Sequence, residues 1–599
     1  IFILSSPQAG TIGADPRRLL AMHHSSSHTE SDSLLINAAR SGGIESDDDQ
    51  YDIIVVGTGV GAAGYIRRLK QFDRTCDLRI LWLEEGTRFS ALSWPEALVT
   101  GSEEGRVPKF PITSQDYIWA LSWKAFGGGD AMNSGGPNVL GIQRGGVKGD
   151  EVIPDIDPPP ALPFPHGGSG GNLYDLRNNS VHPPTPLGDR FVQGFEKIGW
   201  RAVPVLPATA GETNPDCVAY PSSIYSLDYQ SRMLIADELV PGKPWGVTRI
   251  ELGCKVKHVL YADGGGDDAK KQACGVATIN LATGEEVHYH AKKVVLAAGV
   301  FGTFDLLLNS GIGPPDFLAM RGVDPVVPNP LVGTGVGDES QVTVVFLPAE
   351  KQPPPPPNGQ QQCLVGWKSA NGKLAACVWS SGLPSLFTLY TRLPLLDRIK
   401  SKWCCRCLYN ILYAAYKMIV AFLFAPYGVI SVSLDTPATR RLIIEGDDPD
   451  QVVYDDDMIE FTDDMLEEYN RALPGLQNAL DENRKAYGCL GRLWPRLVLK
   501  YLTPLLRYVI GGRFQTGALT QYCMKPRQLK QELASYQHYY GGCGDGVVDD
   551  TYGIIGVENL HVCDATVITK FGRTLLPGAP STTIMQQGMR VADAMYPAK

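Results

Sequence analysis

The sequence predicts an α/β protein in which a Rossmann-like domain is interleaved with a second domain built on a mixed or antiparallel sheet plus helices. Three stretches carry this expectation. The apolar, β-branched run Asp52-Ile53-Ile54-Val55-Val56 leads into Gly57-Thr58-Gly59-Val60-Gly61-Ala62 and the helix-like Ala63 to Leu69. A second short strand, Leu78 to Leu83, ends in Glu84. A third strand, glycine turn and helix recur far downstream at Lys293 to Thr303.

Each part of the first stretch has a physical task. Gly57 permits the tight turn, Gly59 lets the backbone approach a pyrophosphate, and Gly61 continues the glycine-rich entry to the helix. Ala62 is small enough at the third fingerprint position for a helix to pack closely on a strand. The anion then faces a helix N-terminus. Glu84, at the end of the next strand, is positioned to accept the ribose hydroxyls of an adenosine.

The bulk composition excludes other classes. Of 599 residues, 54 are basic and 64 acidic, for a net charge of -10, and 44% are hydrophobic. That balance supplies no basic field for phosphate backbones, so no nucleic-acid partner is expected. Thirteen cysteines are scattered without a disulfide framework. The Cys404, Cys405 and Cys407 cluster lacks a second ligand pair at zinc-like spacing, so no metal is expected. The sequon Asn178-Asn179-Ser180 reads as a chance match. The first residue is Ile, which suggests the remnant of a longer leader.

The segment Lys293 to Thr303, continued through Leu306-Leu307-Leu308-Asn309-Ser310-Gly311-Ile312-Gly313-Pro314, closely resembles the second signature of the glucose-methanol-choline (GMC) oxidoreductases. Small residues at Ala298 and Gly299 would let that strand end lie close to a cofactor. The resemblance extends over most of Tyr51 to Ala598 and implies FAD as cofactor. Phe126-Gly127-Gly128-Gly129-Asp130-Ala131-Met132-Asn133 is similar to the family's first signature, in which Gly127 to Gly129, with Gly128 and Gly129 as the cofactor-binding pair, would admit the flavin ring and Asn133 would hydrogen-bond it. Asp130 departs from the small hydroxyl residue usual there. Val256 resembles the strand position whose backbone contacts adenine. Asp564, followed by Ala565, resembles the aspartate near the ribityl chain. The resemblance also implies a closing helix from Thr583 to Ala594.

Tyr536-Gln537-His538-Tyr539-Tyr540-Gly541-Gly542-Cys543 resembles the segment carrying the family's catalytic histidine. The resemblance therefore makes His538 the base that takes an alcohol proton while hydride leaves the same carbon. At Leu575 to Thr583 the family usually supplies a second histidine or an asparagine. Here Ala579 or a neighbour stands in that place, and a methyl group cannot orient an alkoxide. Slow, altered or lost oxidation is the expectation.

The implied organisation is an extended or processed arm over 1–50, FAD-binding segments at 51–150, 246–340 and 541–599, a mixed segment at 151–245, and a substrate domain at 341–540. Tyr427 to Leu434 alternates like a strand of that domain. Apolar inserts occupy 403–426 and 489–512. Leu408 to Ala425 has nearly the length of a bilayer span, but Lys417 near its middle would cost roughly 2.5–3.5 kcal/mol, which argues against one. Leu490 to Ile510 places Arg492, Arg496, Lys500 and Arg507 along one helical side, broken by Pro495 and Pro504.

These inserts raise a membrane surface or membrane protein assembly as a partner, with a membrane-associated location in an organelle or the secretory pathway. The substrate expected is a small, apolar alcohol. Two alternatives remain open at this stage: a redox-silent lyase on the same scaffold, and an FAD-retaining structural subunit.

Overall fold

In the computed structural model the described residues are 50–72, 77–88, 109–112, 118–121, 124–132, 186–202, 216–219, 234–243, 245–262, 270–346, 362–368, 374–380, 408–415, 428–434, 439–444, 452–454, 534–535, 538–570 and 580–596, with isolated positions between 463 and 478. The expectations for Asn133, for Ala579 with its neighbours at 571–578, and for the basic segment at 490–510 fall outside them.

The cofactor-type sheet draws its strands from separated parts of the chain: β1 (Tyr51–Val56), β2 (Ile80–Glu84), β3 (Arg249–Leu252), β4 (Cys254–Tyr261), β5 (Lys271–Asn280), β6 (Glu286–Leu296), β7 (Val557–Glu558) and β8 (Leu560–Val562). Its centre is parallel, in the order β3-β2-β1-β6-β8. Ile53, Ile54, Val55, Ile80, Leu81, Trp82, Leu83, Val294, Val295 and Leu296 have no measurable exposure. Burial on both faces is what a near-continuous apolar strand requires, and it places these runs in a helix-covered parallel sheet. The first half of β6 turns instead to an antiparallel ladder with β5, which also pairs β4.

Three helices flank the strand ends that matter for the site: α1 (Val60–Phe72), α2 (Gly299–Asn309) and α3 (Pro580–Met595). Helices α1 and α3 pack directly together. Their approach is closest where neither carries a side chain: a Cβ on Gly588 would lie 1.9 Å from the Gly61 carbonyl oxygen. Arg68 and Asp593 close the outer edge of the same contact at 2.7 Å.

A seven-stranded sheet forms the second framework, in the order Ala534–Ser535, Ser340–Phe346, Gly428–Leu434, Leu374–Ser380, Gln362–Lys368, Cys217–Ala219 and Arg201–Ala202. All of its pairings are antiparallel except the last. A smaller sheet orders Val452–Tyr454, Arg440–Ile444, Thr334–Gly337 and Tyr540–Gly542.

The apolar insert is helical over 408–415, with Leu408, Ile411 and Leu412 exposed. Among the described residues, no helix is long and apolar enough to cross a membrane.

Candidate active site

The glycine turn after β1 is held from three sides. Gly57 adopts a φ of +95°, and a Cβ there would lie 2.4 Å from the Ala297 carbonyl oxygen, so only glycine lets β1 and the end of β6 close together. Its amide donates to the Leu83 carbonyl at 2.8 Å, and the Trp82 indole N–H donates to the Gly57 carbonyl at 2.7 Å. Gly59 is different: an added Cβ would meet nothing within 4 Å. Its open side lies at the entrance to α1, where a bound anion would meet the helix amides.

Glu84 is buried at the end of β2. One carboxylate oxygen accepts from the Thr58 amide at 3.0 Å and the Thr58 hydroxyl at 2.6 Å; the other accepts from the Gly86 amide at 2.8 Å. Burial pushes its pKa up to about 7, against the opposing pull of those hydrogen bonds.

Thr58 is the residue that sequence reasoning missed here. Its hydroxyl also accepts from the Gly127 amide at 2.9 Å, tying the turn to the loop Phe126 to Gly129. Gly128 lies against Gly59, with an added Cβ only 2.9 Å from the Gly59 Cα. Gly129, like Gly59, has open space on its Cβ side. Asp130 is buried behind the loop. The structure thus brings Gly57, Gly59, Glu84, Gly128 and Gly129 together. Gly61 and Ala62 lie just behind them in α1, where a Cβ on Gly61 would meet the Cys563 carbonyl oxygen at 2.6 Å and Ala62 is fully buried. Val256 sits on β4, buried and beside β2.

A second cluster forms at the ends of β6 and β8. Asp564 is buried, and one carboxylate oxygen accepts from the Gly299 amide at 2.8 Å and the Thr303 hydroxyl at 2.5 Å. The other accepts from the Thr566 amide at 2.9 Å and the Thr566 hydroxyl at 2.5 Å. Burial raises its pKa, while these four donors oppose the rise. Asp564 therefore fastens the first turn of α2, capped by Ala298, to the short 3-10 turn Ala565–Val567. The hydroxyls of Thr303 and Thr566 were not foreseen, because threonine carries no sequence signal of this role unless the partner acid is known.

His538 adjoins this second cluster through its own segment. Tyr539 packs edge-on against Phe301 of α2, with ring centroids 5.0 Å apart. Farther along, the Cys543 amide donates to the Thr566 carbonyl at 3.0 Å. The ring nitrogen Nδ1 of His538 lies 2.9 Å from the buried Glu339 carboxylate, and its backbone amide donates to Asp338 at 2.9 Å.

Residues 178–338 match the family model of the GMC oxidoreductases. Over that segment the chain is similar to that family. Among curated relatives, (R)-mandelonitrile lyase 1 of Prunus dulcis is 23% identical over 317 residues, 48% of either chain. Dehydrogenase eriK of Hericium erinaceus is 45% identical over 65 residues, and a pyranose dehydrogenase of Agaricus campestris 42% over 55, covering 11% and 9% of each protein respectively. The alignment with the lyase thus spans about half of that relative's length, and the others far less.

The fold is shared with solved structures. Pyridoxine 4-oxidase from Mesorbium loti superposes with a TM-score of 0.57 at 16% identity, covering 91% of this chain and 99% of that one. A formate oxidase of Aspergillus oryzae RIB40 gives 0.56 at 14% identity, covering 92% and 99%. FAD is the cofactor that the site fits: a buried carboxylate at the end of β2, an open glycine surface at a helix N-terminus, and a second glycine loop packed on the first.

Proposed function

We propose that this protein is an FAD-dependent oxidoreductase that oxidises a hydrophobic alcohol, with His538 as the base. The observation that carries this reading is the placement of His538. It is the histidine whose segment packs on the first turns of α2, and its side chain is 18% exposed while the acid beside its ring is buried. That the alcohol is hydrophobic is proposed from the apolar character of the sequence inserts at 403–426 and 489–512.

In this mechanism Glu84 accepts the ribose hydroxyls, and the open face of Gly59 with the α1 N-terminus receives the pyrophosphate. The loop from Phe126 to Gly129 borders the flavin, and Asp564 keeps the α2 turn in place. His538 removes the hydroxyl proton as the C–H bond breaks, which converts the alcohol to a carbonyl compound. Bound FAD supplies the acceptor for the hydride and its two electrons. The sequence from Leu575 to Thr583, where Ala579 or a neighbour stands in the family's second polar position, offers no imidazole or amide, so a slow oxidation is part of the proposal.

The test is anaerobic bleaching of the flavin by a panel of alcohols. His538→Ala is expected to keep its flavin while reduction slows by about 10²- to 10⁴-fold, the usual contribution of a positioned acid-base group. Unchanged reduction in the variant would remove His538 from the mechanism. A second reading, a redox-silent lyase, is favoured by the match to mandelonitrile lyase. It predicts turnover with no bleaching.

A further inference from the structure

His538 lies where two sheets change partners. Thr334–Gly337 pairs antiparallel with Tyr540–Gly542, with Gly337 opposite Tyr540. Carrying that register two residues on places Glu339 opposite His538. The following strand Ser340–Phe346 joins the other sheet instead, pairing Ser340 with Ser535 and Gln341 with Ala534. Neither backbone ladder includes Asp338, Glu339 or His538. Side chains make the connection in their place.

Asp338 accepts the His538 backbone amide at 2.9 Å, and the Glu339 carboxylate meets Nδ1 at the same distance. Both acids are 1% exposed. Consecutive acids beside a glycine-rich stretch ordinarily form a solvated turn, because burying a carboxylate is costly unless it is satisfied. Their burial against one histidine gives them a task. A carboxylate only accepts hydrogen bonds, so Nδ1 carries the ring proton and the lone pair falls on Nε2.

We propose that Glu339 is the positioning residue of His538: it fixes the ring's orientation and the tautomer whose Nε2 can receive a proton. This rests on His538 being the base, and it adds a residue that acts through the histidine rather than on the substrate. The arrangement follows the general logic by which a carboxylate behind an imidazole holds the productive tautomer. It also separates two duties. Glu339 prepares the base, whereas nothing in it replaces the alkoxide partner missing near Ala579.

The experiment uses holoprotein with ¹⁵N-labelled histidine, the His538 ring signals among the ten histidines being assigned by their loss in His538→Ala. The unsubstituted protein is expected to show Nδ1 protonated in the neutral ring. Glu339→Gln, which keeps an acceptor oxygen, should retain that tautomer. Glu339→Leu should shift the ring toward Nε2–H and slow flavin reduction by about 10²-fold, with KM nearly unchanged. Glu339→Gln should recover at least about tenfold of that loss.

If the tautomer is the same in all three proteins, the positioning role is overturned, whatever the rates. A rate loss in Glu339→Leu that glutamine does not recover overturns it as well. Failure of the underlying reading is seen separately: His538→Ala would then reduce its flavin normally, while the tautomer shift in Glu339→Leu would still report the contact.

Discussion

Gly588 of α3 rests on the backbone of Gly61 in α1, so closely that a single methyl group on Gly588 would lie 1.9 Å from the Gly61 carbonyl oxygen. Two helices from opposite ends of the described sequence thus meet backbone to backbone, directly behind the glycine turn.

Gly588→Ala should therefore force the helices apart and lower stability by about 1–3 kcal/mol, the usual range for overpacking, despite alanine's better helix propensity. Chemical denaturation with flavin content measured in parallel checks this. A more stable variant would mean that the helices separate without cost.

Gly59→Asp should leave the fold intact and lose FAD. A Cβ at this position meets nothing within 4 Å, so the change is not a packing lesion. It places a carboxylate in the space proposed for the pyrophosphate, where it repels the anion. Full flavin occupancy in the variant would displace the pyrophosphate from this turn.

FAD affinity should rise with pH through about 7, the value to which burial pushes Glu84. In the role proposed for it, as acceptor of the ribose hydroxyls, Glu84 must be ionised, so affinity should fall by up to about tenfold per pH unit below that value. Glu84→Gln should bind more weakly and lose this dependence. The same shift acts oppositely on the apoprotein: a carboxyl pKa raised above its usual 4.5 gives stability that is full below 4.5 and lost as pH rises through about 7. Flavin titrations between pH 5.5 and 8.5, beside apoprotein denaturation, read both signs.

His561 gives an acid limb of the other sign. Burial, with Lys293 adding to it, lowers its pKa to about 4, and its Nδ1 is buried without a hydrogen-bond partner among the described residues. The neutral ring is favoured in the folded state. Its contribution to stability is present above the usual value of 6.5 and lost as pH falls through about 4. His561→Gln should reduce that loss. Glu84 acts oppositely over much of this window, so the comparison must be between variants at matched pH. An identical pH dependence in His561→Gln and the parent would contradict it.

What could be read from the sequence was whatever is local. The turn from Gly57 to Ala62 and the strand ending at Glu84 are short-range patterns, and the backbone obeys them. The strand at Gly428–Leu434 and the helix Pro580–Met595 also follow from periodicity or resemblance over adjacent residues. By contrast, the Glu339–His538 contact depends on a register between strands 199 residues apart. Without that register, Asp338-Glu339 looks like any solvated acidic pair. Thr58 was hidden differently: within the fingerprint it occupies a variable position, and its importance appears only when Gly127 arrives from another part of the fold.

The carboxylate of Asp564 closes the first turn of α2 across 265 residues of sequence. A ribosome adding about 5–20 residues per second needs on the order of ten seconds to a minute to cover that distance. Throughout that interval the nascent chain carries the apolar strand Val294-Val295-Leu296 without its neighbour Leu560–Val562. An unpaired apolar strand edge is an invitation to intermolecular pairing. The interleaving that assembles the flavin site from distant segments therefore makes biogenesis its vulnerable period, and chaperone supply during translation should limit the yield of folded protein.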